Sequence, residues 1–236
     1  MADEAGPQSE APGYDPRLYG RQRNKNVKPR QIALLDAALA KWAAPDPAAG
    51  TVVPADIAPE AAEVWLEIGF GGGEHLASVA AARPDVLMLG AETFMNGVAR
   101  FLAHIEDEGL QNIRIHYGDA RPLLEALTPA SIDRLYVLHP DPWPKRRHWK
   151  RRLLSRWFLD AAARVLKPGG VLRVASDIPS YVEWTLMHAL ARPDFRWTAR
   201  RAADWRTRPV DQPTTRYGAK SEREGRVAAY LAFERL

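Results

Sequence analysis

Short apolar runs alternate with amphipathic stretches along most of this 236-residue chain. The apolar runs have the length of buried strands, and they span residues 64–68, 86–91, 113–117, 132–138, 171–176 and 227–233. The stretches between them carry apolar residues at helical spacing, over residues 74–82, about 96–108, about 153–166 and 181–190. Alternating strands and helices predict an α/β fold with a doubly wound, mainly parallel sheet.

The pattern differs before residue 60. Residues 1–16 are rich in Pro, Gly, Ala and Glu, which predicts a disordered tail. A basic arm follows, then an apolar stripe predicts a helix over residues 31–43, and Pro and Ala dominate a linker that ends near residue 59. We therefore expect a tail over 1–16, an arm, helix and linker over 17–59, and one α/β domain over 60–236. Within that domain, Lys167-Pro168-Gly169-Gly170 predicts a helix stop and a turn.

Composition excludes several classes of protein. The chain has no cysteine, which excludes a disulfide scaffold and a thiolate metal site. No apolar run approaches the ~20 residues of a membrane span, and residues 1–12 lack the apolar segment of a signal peptide. We expect a cytoplasmic protein, either a monomer or a homodimer, with no membrane partner and no metal.

Positive charge is unevenly distributed along the chain. The formal net charge is +4, from 33 Lys and Arg against 29 Asp and Glu. Cations concentrate in residues 17–30, 145–152 and 196–208, and such clusters are typical of proteins that bind a polyanion. Solvated surface is the alternative explanation for a single Arg-rich run, but a cluster beside a candidate site favours binding.

A glycine-rich turn, Glu67-Ile68-Gly69-Phe70-Gly71-Gly72-Gly73-Glu74, follows the first strand and opens a helix. Glycines let the backbone turn sharply and approach a ligand, although the spacing is not the full dinucleotide fingerprint. Glu92 ends the second strand, and Asp119 follows the third. Each acid alone is more typical of a helix cap or a surface, but carboxyl ends of parallel strands meet where such sheets bind ligands. Together they predict a nucleoside cofactor.

S-adenosylmethionine suits these acids better than a dinucleotide does. Glu67 would attract its positive charges, Glu92 would hold its ribose hydroxyls, and its adenine amino group could donate a hydrogen bond to Asp119. It also lacks the pyrophosphate that a dinucleotide places at a helix N-terminus.

The most informative stretch begins where the fourth strand ends, at His139-Pro140-Asp141-Pro142-Trp143-Pro144. Three prolines restrict the backbone around Asp141, so this acid is held in place. An acid and an indole could hold a flat polar ring, and the cations that follow could contact phosphates, which predicts a site for a base in a nucleic acid. The ordinary alternatives are a turn-capping role for Asp141 and packing for Trp143, and we interpret His139 as structural. The expected phosphate contacts here are Lys145, Arg146, Arg147, Lys150, Arg151 and Arg152.

Over about residues 19–235 the chain resembles bacterial tRNA (guanine-N7-)-methyltransferases. The matching motifs are Gly20-Arg21-Gln22-Arg23, Leu66-Glu67-Ile68-Gly69-Phe70-Gly71, Gly90-Ala91-Glu92, Gly118-Asp119-Ala120, His139-Pro140-Asp141-Pro142-Trp143-Pro144-Lys145, Ser176-Asp177 and Thr215-Arg216-Tyr217. The proline-rich motif beside the basic run is far more specific than the glycine loop. The resemblance implies a seven-stranded class I (Rossmann-like) sheet and methyl transfer from S-adenosylmethionine to N7 of guanine 46 in the tRNA variable loop.

The resemblance also implies roles for individual residues. It implies that Asp141 is the catalytic-site acid. The cofactor pocket is implied to contain Glu67, Gly69, Gly71, Glu92, Asp119, Ala120 and Asp141. Substrate contacts are implied for Lys145, Asp177, Thr215, Arg216, Tyr217 and Gly218. Further RNA phosphate contacts are expected from Arg21 and Arg23 in the basic arm.

One position departs from the family pattern Thr-x-Phe/Tyr-Glu, because the fourth residue here is Gly218. That glutamate normally contributes to the pocket, so its absence implies a weaker or reorganised site unless Glu222 or Glu224 reaches in. Two alternatives stay open: a small-molecule methyltransferase of the same fold, and a noncatalytic RNA-binding module. The basic clusters argue against the first, and Gly218 is the one feature that favours the second.

Overall fold

A computed structural model describes the backbone of residues 29–236 and the side chains of residue 35 and residues 37–236. The expected disordered tail over residues 1–16 lies outside the described residues. The phosphate contacts expected of Arg21 and Arg23 lie outside them as well.

The centre of the molecule is a seven-stranded sheet. Its strands are β1 (Glu63–Ile68), β2 (Val86–Glu92), β3 (Ile113–Tyr117), β4 (Ile132–Leu138), β5 (Leu166–Ser176), β6 (Phe195–Trp197) and β7 (Ala229–Arg235). They lie in the order β3-β2-β1-β4-β5-β7-β6. In this sheet β7 runs antiparallel to both of its neighbours, and the other pairings are parallel. The expectation of a mainly parallel seven-stranded sheet is confirmed.

Helices cover both faces of the sheet. They are α1 (Pro29–Trp42), α2 (Pro54–Ile57), α3 (Glu74–Ala82), α4 (Met95–Glu108), α5 (Ala120–Ala126), α6 (Arg156–Val165), α7 (Pro179–Leu190), α8 (Ala203–Arg206) and α9 (Arg216–Arg223), with 3-10 helices at Pro47–Ala49 and Arg146–Arg151. None of the helices in the described part of the chain combines the length and apolarity needed to cross a bilayer.

Alternate side chains of the strands enter two separate cores. Leu66 and Ile68 of β1 pack with residues of α5, α6 and α7, whereas Trp65 packs with residues of α1, α3 and α4. This alternation follows from the two-residue repeat of a strand, and burial on both faces explains why the strands are almost continuously apolar. The doubly wound arrangement places β1 between β2 and β4, which is the switch point where such sheets bind ligands.

Residues before 60 join this sheet directly. The helix α1 packs against α4 and β3, and Ala44 N–H donates to the carbonyl of Ile115 in β3 at 2.8 Å. The expected boundary at residue 60, between the arm, helix and linker and the α/β domain, stays a prediction.

The helix α6 ends at Val165, so the expected helix stop is confirmed, and the strand expected from residue 171 begins earlier, at Leu166. Leu166 pairs with Ile132, and the register shifts before Val171 pairs with Arg134. The residues of the expected turn, 167–170, therefore lie opposite Asp133 alone, and Gly169 has a positive φ of 80°. The ammonium of Lys167 contacts both oxygens of Asp133 at 2.8 Å and holds this irregular segment against β4.

Candidate active site

A cavity of about 740 Å³ opens at the carboxyl edge of the sheet. Residues that follow β1, β2, β3, β4 and β5 line it, and α9 adds a further wall. Of the residues singled out from the sequence, the cavity is lined by Gly69, Gly71, Glu92, Asp119, Ala120, His139, Asp141, Trp143, Lys150, Arg151, Arg152, Asp177 and Tyr217.

The glycine loop and Glu92 form one unit. Gly69 and Gly71 have φ angles of 76° and 59°, in the left-handed region that glycine adopts without strain. The carboxylate of Glu92 accepts hydrogen bonds from the backbone N–H of Gly71, Thr93 and Phe94, at 2.7, 2.7 and 2.8 Å. These bonds fix the loop against the end of β2 and the start of α4.

Glu67 lies beneath this loop and does not reach the cavity surface. Its side chain is 2 % exposed, and Oε2 lies 2.8 Å from Nδ1 of the equally buried His75. Glu67 is not one of the described residues that line the cavity. In this structure it supports the loop from below.

Asp119 caps α5 at the cavity wall. Its carboxylate accepts from the backbone N–H of Arg121 at 3.0 Å, and from Nε of the same residue at 2.8 Å. Asp119 therefore caps a helix and also lies at the cavity wall, where the sequence predicted a ligand.

The loop that carries Asp141 is held in an unusual conformation. His139 and Trp143 have φ angles of 50° and 43°, and each precedes a proline. Left-handed backbone at a residue other than glycine costs about 1–3 kcal/mol, and such strain concentrates at functional sites. Asp141 lies between these two residues, so surrounding structure must hold its position.

Arg152 supplies part of that support. Its Nε donates to the carbonyl of Pro142 at 3.0 Å, and its other nitrogens donate to the carbonyl and hydroxyl oxygens of Ser180 at 2.8 and 3.1 Å. The guanidinium is only 2 % exposed and lies over the rings of Trp149 and Tyr181. In this structure the guanidinium of Arg152 holds the loop from within an aromatic cage, and its expected contact with phosphate stays a prediction.

Asp141 itself opens into the cavity. Among the described residues, none donates a hydrogen bond to its carboxylate, in contrast to Glu92 and Asp119. Desolvation by the surrounding wall raises its pKa above the usual value of 3.8. The carboxylate is thus free to accept hydrogen bonds or a positive charge from a ligand.

Asp177, which follows β5, joins the sheet to α9. Its Oδ2 accepts from the hydroxyl of Ser221 at 2.6 Å and from Nε of Arg226. Burial acts to raise the pKa of Asp177, but these two hydrogen bonds outweigh it and hold the pKa below its usual value. An ionised Asp177 therefore faces His139, whose Nδ1 lies 3.6 Å from Oδ1.

The segment expected to contact substrate forms the start of α9. The hydroxyl of Thr215 accepts from Gly218 N–H at 2.9 Å and caps the helix. Tyr217 is 60 % exposed and lines the cavity, and a Cβ built on Gly71 would lie 3.8 Å from its ring. Gly218 is buried and Arg216 is exposed, and neither lines the cavity.

Neither glutamate near Gly218 lines the cavity. Glu224 pairs with Arg226 and lies 3.8 Å from Lys220, while Glu222 is exposed on α9. Sequence reasoning missed Lys220, Ser221 and Arg226 as cavity residues, because a polar helix with no apolar stripe gives no signal of where it packs.

The cations after Trp143 divide into two groups. Lys150 and Arg151 line the cavity, and the guanidinium of Arg151 lies 5.0 Å from the ring of Trp143. Lys145, Arg146 and Arg147 are exposed beside the cavity, at the start of the 3-10 helix. Within the described side chains, no cluster of three or more His, Cys, Asp or Glu residues could hold a metal ion.

The strand order, the glycine loop after β1 and the strand-end acids define a class I methyltransferase fold. Solved structures agree: this chain matches a structure titled an antibiotic-related methyltransferase with a TM-score of 0.54 and 15 % identity, over 78 % of this chain and 92 % of that one. It matches the 16S rRNA methyltransferase KamB with a TM-score of 0.52 and 20 % identity, over 77 % and 92 % of the two chains. At these identities the likeness shows the fold alone.

Sequence comparisons define the family. The family model described as "Putative methyltransferase" matches residues 61–231. The tRNA (guanine-N(7)-)-methyltransferase of Rhodospirillum rubrum is 47 % identical, over 96 % of this chain and 90 % of that protein. The enzyme of the same name from Caulobacter vibrioides is 50 % identical, over 86 % and 88 % of the two chains. The chain belongs to the tRNA (guanine-N(7)-)-methyltransferase family.

Proposed function

We propose that this protein transfers a methyl group from S-adenosylmethionine to N7 of a guanine in tRNA, at position 46 of the variable loop. The observation that carries the proposal is the open carboxylate of Asp141, which lies in one cavity with the glycine loop and with Lys150 and Arg151. The names of the relatives identify the substrate class. A tRNA substrate places the reaction in the bacterial cytoplasm.

The first half of the cavity fits S-adenosylmethionine. The volume of about 740 Å³ lies within the ~300–1,000 Å³ typical of small-molecule sites. Gly69 and Gly71 would let the backbone approach the ligand, Glu92 would accept from ribose hydroxyls, and Asp119 would accept from the adenine amino group. When bound, S-adenosylmethionine supplies a methyl group on a positively charged sulfur, and the acidic wall favours that charge.

The second half of the cavity fits a guanine. N7 of guanine carries a lone pair and no proton, so the site needs no general base. Asp141 can accept hydrogen bonds from N1–H and the exocyclic amine, which adenine does not present together. Its negative charge would also stabilise the positive charge that develops on the ring, so catalysis rests on position and electrostatics.

Cations beside the cavity fit an RNA backbone. Lys150 and Arg151 would contact phosphates closest to the target nucleotide, and Lys145, Arg146 and Arg147 would contact phosphates further out. Such contacts position the RNA without reading its sequence. The target guanine must leave its stack to reach Asp141, and the exposed ring of Tyr217 offers a surface for the extruded base.

The test is methyl transfer from labelled S-adenosylmethionine to unmodified tRNA. Borohydride reduction and aniline cleavage would map the product, with a tRNA carrying adenine at position 46 as the matched control. We expect label at guanine 46 and none in the control. Binding of S-adenosylmethionine without any RNA product, or transfer to small molecules instead, would overturn the proposal.

A further inference from the structure

His139 is enclosed in the wall of the cavity, and the reaction described above gives it no role. Its side chain is 7 % exposed, yet the residue lines the cavity beside Asp141. Nδ1 is sealed from solvent, has no hydrogen-bond partner within the described part of the chain, and faces Oδ1 of Asp177 at 3.6 Å.

The opposite edge of the ring, which carries Nε2, lies beside Gly218, a residue with no side chain. A Cβ built on Gly218 would lie 3.4 Å from Nε2 of His139 and 3.2 Å from the hydroxyl of Thr214. Any side chain at 218 would therefore begin in contact with Nε2. Gly218 therefore leaves Nε2 without a side chain against it on the side of α9.

The surrounding charges decide which nitrogen carries the proton. Burial lowers the pKa of His139, so the imidazole is neutral at neutral pH. The charges of Asp177 and Glu222 act to raise this pKa, and that of Arg226 acts to lower it. An ionised Asp177 facing Nδ1 favours the tautomer with its proton on Nδ1, which leaves a lone pair on Nε2.

We propose that Nε2 of His139 accepts a hydrogen bond from an N–H on the Watson–Crick edge of the target guanine. His139 is then a specificity-determining residue that acts beside Asp141. This inference rests on the proposed function and deepens it. Guanine presents two neighbouring donors on that edge, N1–H and the exocyclic amine, and His139 would accept from one of them while Asp141 accepts from the other, in place of both on Asp141. A base that lacks one donor leaves an acceptor unpaired.

Two substitutions, His139→Asn and His139→Gln, test the two nitrogens of the ring separately. The amide of His139→Asn can occupy the place of Nδ1 and keep the contact with Asp177, but it withdraws the acceptor from the cavity. The amide of His139→Gln can present an oxygen near the place of Nε2 and gives up the contact with Asp177. A purely structural role for His139 predicts the opposite order of activities from a recognition role.

We expect kcat/KM for tRNA to fall about tenfold or more in His139→Asn and to stay within about threefold of the wild type in His139→Gln. The Kd for S-adenosylmethionine should stay unchanged in both variants. Asparagine tolerates left-handed backbone better than glutamine does, so a folding defect would produce the reverse order. Wild-type activity in His139→Asn, or equal losses in both variants, would overturn the inference.

Gly218→Ala gives a second test, because the preference of alanine for α9 of about 1 kcal/mol over glycine offsets the close approach of its methyl group to the hydroxyl of Thr214 at 3.2 Å. Its methyl group would cover Nε2, so kcat/KM for tRNA should fall with no loss of melting temperature. Wild-type kcat/KM in Gly218→Ala would count against the inference. Failure of the proposed function would appear instead as a wild type that methylates no tRNA.

Discussion

At the scale of single residues, four carboxylates at the edge of the sheet differ in their partners. Glu92 accepts three backbone N–H groups, Asp119 caps α5, and Asp177 is paired with Ser221 and Arg226. The sequence placed all four acids at strand ends, and the family resemblance singled out Asp141, but the sequence did not show which of the four would have no hydrogen-bond donor among the described residues. The partners of Asp177 lie 44 and 49 residues further along the chain, and no local pattern reports such contacts.

The raised pKa of Asp141 predicts a pH dependence of cofactor binding. Protonation neutralises the carboxylate, so the attraction to a positive sulfur disappears as the pH falls towards a pKa above 3.8. We expect the affinity for S-adenosylmethionine to weaken on acidification more than that for S-adenosylhomocysteine, whose sulfur is neutral. Calorimetry across a pH series measures both ligands. The difference should vanish in Asp141→Asn, and equal pH dependence for the two ligands in the wild type would contradict this account.

At the scale of elements, the apolar pattern predicted the long strands and helices because burial on both faces leaves a clear signal. It missed β6, which has three residues, and α9, whose sequence is polar and contains Gly218. It also assigned Arg152 to the surface from its charge alone. Six cations in one run gave no sign that one of them folds inward to hold the loop.

The stability of the loop between β4 and the 3-10 helix should depend on the guanidinium group of Arg152. Lysine cannot reproduce its three hydrogen bonds or its stacking on Trp149, so Arg152→Lys should lower the free energy of unfolding by about 2 kcal/mol. Urea unfolding would measure the change. Arg147→Lys, at an exposed position of the same run, is the matched control and should change stability by less than about 0.5 kcal/mol. Equal stabilities of the two variants would exclude a structural role for Arg152.

At the scale of the whole molecule, the sequence predicted the fold, and the comparisons confirm the family. It could not predict which cations lie beside the cavity, since that depends on how the 3-10 helix and α6 follow the proline-rich loop. The structure places Lys150 and Arg151 at the cavity and leaves Arg146 and Arg147 exposed next to it. Positive charge is thus concentrated on the edge of the sheet where the target base would enter.

This charge predicts a salt-dependent affinity for tRNA. Each phosphate contact contributes about −0.7 to −0.9 to the slope of log K against log salt concentration. Arg146→Ala and Arg147→Ala should each reduce the magnitude of the slope by nearly the contribution of one phosphate contact, without changing the Kd for S-adenosylmethionine. Filter binding across a salt series measures this. Lys167→Gln, at the opposite edge of the sheet, should leave the slope unchanged, and an equal reduction in that variant would contradict a localised RNA surface.

The most direct test of the account is the single-turnover rate of tRNA methylation by Asp141→Asn, at saturating S-adenosylmethionine and tRNA. Asparagine keeps the size of the side chain but removes the charge and one acceptor. If the open carboxylate recognises guanine and stabilises the charge on its ring, the rate should fall about 10²–10³-fold while tRNA still binds. A rate near that of the wild type would show that Asp141 is not the acid on which this site depends.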